Sequence, residues 1–251
     1  MNKKPLLLIV WLCVLGGLAF AISHLGGSGD ENASKAGPAV SVPPLDTKKM
    51  AAQWPQIVSH AAAPPRGNPQ ARYTLAEFGD FQCPQCGAIR PDLEKFLAQN
   101  ISQANLIFLH RPFPFYSNGT VMHKWALPSA QAAQAAANAG KFWPMYDALY
   151  THQDDLEPGF YSQYAQNIGI SAAQFTRAYD APQAKAAVAA AMKFTTDLGI
   201  ESTPTILVHD NQTGQVWAFV GKDGTAGQPG VTNLFADPPW ASKTLGGSAK
   251  A

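Results

Sequence analysis

Residues 73–86 read Tyr73-Thr-Leu-Ala-Glu-Phe-Gly-Asp-Phe-Gln-Cys-Pro-Gln-Cys86. The first six positions have the apolar and aromatic texture of a buried strand, and Gly79-Asp80 breaks it. Pro84 follows Cys83 at a position where the first turn of a helix tolerates proline. Apolar Ile89, Leu93 and Phe96 then continue a helix to about Gln99, with a kink expected at Pro91. The two cysteines therefore sit one turn apart at a helix N-terminus. Unpaired N–H groups and the helix dipole there favour a thiolate on the first of them. Cys83 is expected to be the exposed nucleophile and Cys86 the deeper, resolving thiol, with Pro84 and Gln85 tuning the thiolate.

Working outward, Asn105–His110 reads as a second strand, followed by the Pro- and aromatic-rich connection Arg111–Tyr116. Helical patterns then cover Met122–Ala139, Phe142–Thr151, Tyr161–Asn167, Ser171–Tyr179 and Gln183–Leu198, with Ser171 and Gln174 spaced as a capping box and Gly199 as a stop. Strand texture returns at Thr205–His209 and Gln215–Val220 around a turn, an antiparallel hairpin. A weaker helical pattern, Thr47–Ala61, precedes the first strand. Strands on both sides of a helical block predict an α/β domain over residues 47–240, with a helical insertion at about 118–199. No repeat of solenoid length is present.

The 251 residues carry 18 basic and 17 acidic side chains, a net charge of +1, with 46% hydrophobic residues. This excludes a charged disordered tail protein and leaves no basic excess for nucleic acid. Lys3 and Lys4 precede an apolar run from Leu6 to Ile22, the pattern of an export signal. Residues 1–25 fit a signal peptide cleaved after Ala19-Phe20-Ala21, or an uncleaved inner-membrane anchor over residues 5–25. Either way the lysines place the rest of the chain outside the cytoplasm, in the periplasm or its equivalent. Residues 26–46 read as a flexible tether, which favours the anchor, and residues 241–251 as a flexible tail. Cys13 follows bulky Leu12 and reads as a small hydrophobe inside the apolar run.

That leaves Cys83 and Cys86 with no third cysteine in the exported part. Their spacing is also half of a zinc site, but no second cysteine pair exists and His110, His123, His152 and His209 show no paired ligand spacing. No metal and no cofactor are expected. A static structural disulfide is the other bland reading, against which stands export to an oxidising compartment with no other cysteine to protect. Glu77, six residues before Cys83 on an apolar strand, is either a buried acid able to exchange a proton with Cys86 or a strand-edge carboxylate with its head in water. Asp80 reads as a turn residue. Pro204, after Ser202-Thr203, is natural at a strand start; as a cis peptide it would present the Thr203 backbone beside the cysteines for a substrate segment.

Gly67-Asn68-Pro69, residues 75–86, the helical insertion and Gly199-Ile-Glu-Ser-Thr203-Pro204-Thr with its closing hairpin together resemble the DsbA-like thiol:disulfide oxidoreductases over about residues 66–221. The resemblance implies a thioredoxin fold carrying an inserted helical domain. It implies Cys83 as attacking cysteine, Cys86 as resolving cysteine, Glu77 as the buried acid and Thr203-Pro204 as a cis-proline loop. Strongly oxidising members usually carry His between the cysteines, where this chain has Gln85. The family closes with a regular amphipathic helix, where this chain has Gly221-Lys-Asp-Gly224 and Gly227-Gln-Pro-Gly230, then at most one short helix over Val231–Ala236.

The function expected is thiol–disulfide exchange with exported proteins, served by a membrane or exported redox partner. A reductase or isomerase of the same fold and a non-catalytic binding or chaperone module are the alternatives.

Overall fold

The computed structural model describes residues 43–113, 116–117, 120–225 and 227–241. The expected signal or anchor, most of the tether, Cys13 and the tail from residue 242 lie outside the described residues. Among the described residues no helix is long and apolar enough to cross a membrane.

Five strands among them form one sheet in the order β1-β3-β2-β6-β7. These are β1 Arg66–Gly67, β2 Tyr73–Gly79, β3 Ala104–His110, β6 Thr205–Asp210 and β7 Val216–Val220; β4 Tyr116–Ser117 and β5 Thr120–Val121 make a separate small hairpin. Strands β2 and β3 run parallel, with Glu77 opposite Phe108, and β2 and β6 antiparallel, with Glu77 opposite Ile206. As the sheet's centre, β2 is buried along its whole length. That is why its sequence is a continuous apolar run, unlike the alternation of a half-wet strand.

Period-two alternation sorts the β2 side chains between the two faces. Tyr73 and Leu75 pack with Ile89, Leu93 and Phe96 of helix α3 (Pro84–Gln99) and with Val231 and Leu234 of α9 (Val231–Ala236). Ala76 and Phe78 turn to the other face, against Met50 of α1 (Thr47–Ala52) and Trp54 and Ile57 of α2 (Trp54–Ser59). Each such leucine, isoleucine or phenylalanine, fully buried, stabilises the fold by about 1.5–3 kcal/mol. The Thr47–Ala61 pattern is thus two short helices divided at Gln53. Asp46 caps the first, its Oδ1 accepting from Lys48 N and Lys49 N, and Pro55 sits in the first turn of the second.

Between β3 and β6 lie α4 Ala126–Ala137, α5 Phe142–Thr151, α6 Pro158–Asn167, α7 Ala172–Asp180 and α8 Pro182–Asp197. The Ala-rich α4 is buried at Ala126, Ala130, Ala132, Ala133, Ala135 and Ala136. Small side chains on that many faces let α5, α6, α7 and α8 all approach it. Helix α6 starts at Pro158, three residues ahead of the expected Tyr161, because Pro158 is a competent first residue. At α7 Ser171 accepts from Gln174 N at 3.3 Å. Helix α4 starts four residues later than expected, at Ala126, because Trp125 N donates to the Gln82 side chain at 2.6 Å, which holds residues 122–125 in turns. Gly199, at φ +89°, ends the helical segment after α8.

Candidate active site

Cys83 is the N-cap residue of α3, with φ −71° and ψ 118°, and its N–H donates to Asp80 O at 3.0 Å. The strand-to-helix turn that presents it is built by Asp80, whose Oδ1 accepts from Gln82 N at 2.8 Å. Asp80 therefore acts as the expected turn residue, yet its side chain is wholly buried, Oδ2 accepting from Phe113 N at 3.0 Å and meeting His123 Nδ1 at 2.8 Å.

Both cysteines are free thiols. The expected exposed nucleophile needs correction: Cys83 is 6% exposed and Cys86 1%. Around the first cysteine, Asp80 O accepts from its N–H, Gln153 donates to its carbonyl and Thr203 O meets its sulfur, and a cavity opens beside it. That cavity, of about 510 Å³, has Cys83, Pro84, Gln85, Phe113, His123 and Thr203 on its walls.

The thiols are driven in opposite directions. The hydrogen bond from Cys86 pulls Cys83 from 9.0 down to about 6, against burial and with help from Thr203. Burial, then the neighbouring Cys83, push Cys86 well above its ordinary value. At neutral pH the arrangement is a thiolate on Cys83 beside a protonated Cys86.

The Thr203–Pro204 bond is cis. The Thr203 carbonyl accepts from Cys83 Sγ at 3.3 Å while the thiol is protonated, whereas the Thr203 side chain favours the thiolate, and Gly221 N donates to Pro204 O at 2.7 Å. Gln85, between the cysteines, accepts through Oε1 from Lys222 N at 3.3 Å. The glycine-rich segment after β7 is thus the support of the intervening dipeptide.

Glu77 is fully buried on the face of β2 that meets α3 and α5. Its Oε2 accepts from the Tyr146 hydroxyl at 2.7 Å, while Oε1 has no hydrogen-bond partner among the described residues. Burial raises its carboxyl from 4.5 to about 7, held back by Tyr146, Arg90 and Arg66. The strand-edge reading of Glu77 is ruled out by this burial. Arg90 lies over the Tyr146 ring at 5.1 Å and pairs with Asp147 at 2.8 Å and with Glu94.

Sequence reasoning missed the site groups that the insertion supplies. Tyr146 reaches Glu77, Gln153 Nε2 donates to Phe81 O at 2.7 Å and Cys83 O at 3.0 Å, and His123 meets Asp80. Each lies far along the chain from its partner, with no spacing signal to find it. Among the described residues no three His, Cys, Asp or Glu side chains are grouped to hold a metal ion.

A family model described as thioredoxin matches residues 60–217. Among solved structures, a thioredoxin-like oxidoreductase from Silicibacter pomeroyi is 26% identical, covering 59% of this chain and 81% of its own, with a TM-score of 0.51. The thiol-disulfide exchange protein alpha-DsbA2 of Wolbachia pipientis shares the fold at 21% identity and a TM-score of 0.57, over 70% of this chain and 87% of its own. BdbD of Bacillus subtilis shares it at 23% identity and a TM-score of 0.52, over 60% and 83%. Among curated sequences, Na(+)/H(+) antiporter NhaA 3 of Salinispora tropica is 36% identical over 110 residues, which is 44% of this chain and 16% of the antiporter. NhaA 1 of Mycolicibacterium gilvum is 32% identical over 154 residues, 61% of this chain and 24% of the antiporter. The chain thus spans about a sixth to a quarter of the length of these curated relatives. With the family model covering more than half of it, and with a parallel–antiparallel sheet, a cysteine pair at a helix N-terminus and a cis-proline, the chain belongs to the thioredoxin superfamily and shares the fold of its DsbA-like structures.

Proposed function

We propose that the chain catalyses thiol–disulfide exchange with exported proteins, through Cys83 as the attacked sulfur and Cys86 as the resolving thiol. The observation that carries this reading is the free cysteine pair on one helical turn at the N-terminus of α3, beside the cis Thr203–Pro204 bond, with Cys83 held down to about 6 and Cys86 pushed up. In the oxidised protein a substrate thiolate attacks the Cys83 sulfur, the Cys83–Cys86 bond breaks, and Cys86 leaves as a thiolate. In this reading Glu77, with its carboxyl at about 7, returns a proton to Cys86. A second substrate thiolate then attacks the substrate sulfur of the mixed disulfide and expels Cys83 as a stabilised thiolate. The substrate loses two electrons and two protons, and the cysteine pair is left reduced for a membrane or exported redox partner to reoxidise.

In this reading Thr203 and Pro204 bind the substrate backbone beside Cys83, and Pro84 and Gln85 set the thiolate's stability. The apolar run Leu6–Ile22 behind Lys3 and Lys4 supports export and an inner-membrane anchor. Residues 47–240 then act as one redox domain on the tether 26–46.

Equilibration with glutathione at known ratios tests the function. An oxidising potential supports the oxidase, and a reducing one moves the assignment to reductase or isomerase. A pair that never exchanges under native conditions leaves only the static-disulfide module. Cys86→Ser should accumulate substrates as mixed disulfides on Cys83; their absence would show the two cysteine roles to be wrong. A phosphatase reporter fused after residue 46 reads the location, activity requiring export.

A further inference from the structure

Nothing between the cysteines carries charge: Pro84 and Gln85 are neutral, and the Gln85 carbonyl oxygen is turned to Lys222 N. The charged groups near Cys83 come from elsewhere. Asp80, three residues before it, is wholly out of solvent, and its carboxylate opposes a Cys83 thiolate. Each of its oxygens already accepts a backbone N–H, from Gln82 and from Phe113. Arg111 is buried near Asp80, but its Nε donates to Ile200 O at 2.8 Å and its guanidinium lies over the Phe113 ring at 4.7 Å. Glu201 stands on the cavity wall, and Glu77 lies on the Cys86 side. His123, from the start of the insertion, reaches Asp80 Oδ2 at 2.8 Å and lines the same cavity as Cys83.

We propose that His123 is a positioning residue for the redox reaction: as the counter-ion of Asp80, it offsets a buried carboxylate that opposes the Cys83 thiolate and so makes the cysteine pair a stronger oxidant. This rests on the exchange function proposed above. The direction follows from linkage. Whatever stabilises the thiolate stabilises the reduced pair, and a more stable reduced pair is a stronger oxidant. Asp80 also raises the His123 imidazole above its ordinary value, and Cys83 adds to the effect, so the carboxylate and the thiolate both favour the cation.

The test is a double-mutant cycle on His123→Gln, Asp80→Asn and the double variant in the full chain, reading thiolate absorbance against pH and the glutathione equilibrium at pH 8. Thiolate absorbance needs no substrate, and a purely structural histidine would leave it in place. His123→Gln should raise the Cys83 pKa by about one unit, which shifts the glutathione equilibrium at pH 8 about tenfold towards the disulfide, about 30 mV. Asp80→Asn should shift both the other way, and in that background His123→Gln should change little. An unmoved thiolate in His123→Gln, or an equal shift with and without Asp80, overturns the inference while exchange itself persists. A wild-type pair that does not exchange with glutathione fails the proposed function first, and this inference with it.

Discussion

The Tyr146 hydroxyl donates to Glu77 Oε2 at 2.7 Å, so a helix of the insertion holds the buried acid of the central strand, whose charge reaches Cys86. Tyr146→Phe keeps the ring under Arg90 and removes only the donor. Because that hydrogen bond holds the Glu77 carboxyl down, its loss should raise the value further above about 7. The cost in stability should be about 1 kcal/mol at pH 5, where the acid is protonated, and about 2–3 kcal/mol at pH 8.5, where a buried carboxylate loses its donor. Urea unfolding at the two pH values measures both.

Glu77 also makes the fold weaker as pH rises. Its folded value of about 7 lies above the ordinary 4.5, so the folded state holds the proton more tightly and stability drains away between those two values. The full displacement corresponds to about 3 kcal/mol. Glu77→Gln should match the wild type near pH 4 and exceed it by up to that amount at pH 8. Unfolding curves that stay superimposed across this range would contradict the buried-acid assignment.

Thiolate absorbance at 240 nm should titrate with a midpoint of about 6 in the reduced protein and vanish in Cys83→Ser. Since the hydrogen bond from Cys86 is the largest influence on Cys83, Cys86→Ala should move that midpoint upward. A midpoint that stays put would assign the thiolate's stability to the helix terminus and Thr203 instead.

Gly79 ends the central strand where no side chain fits. A methyl group there would lie 2.5 Å from Phe108 Cε2 and 2.8 Å from the Tyr150 hydroxyl. Both rings are themselves packed around Phe81, with centroids 5.3 and 4.9 Å away, and have little room to yield. Gly79→Ala should cost about 1–3 kcal/mol, read from the denaturation midpoint of the reduced protein.

The local parts of this molecule were legible in the sequence because local rules govern them. The strand through Phe78, Pro84 at the first turn of α3, and the hairpin around Asp210–Gly214 each follow from a period or a punctuating residue. Glu77 stood out as an acid in an apolar strand. The two-residue β1 escaped because Arg66–Gly67 offers no period to read, and its pairing with Leu106 and Asn105 is purely tertiary. The late start of α4 depended on the Gln82 side chain, 43 positions earlier. The surroundings of Cys83 depended on contacts from Asp80, Gln153 and Thr203, two of them far along the chain. None of these lies within the reach of a sequence window, and each is decided by which surfaces meet after the chain has closed.

Gln153 carries a consequence for the history of this chain. Its amide clips the Phe81 and Cys83 carbonyls, and a methyl added at Gly87 would collide with its Oε1. The insertion is therefore more than an appended module, since one of its side chains holds the turn that presents the Cys83 sulfur. A shortened relative that lost it would have to hold the turn before its first cysteine with other residues.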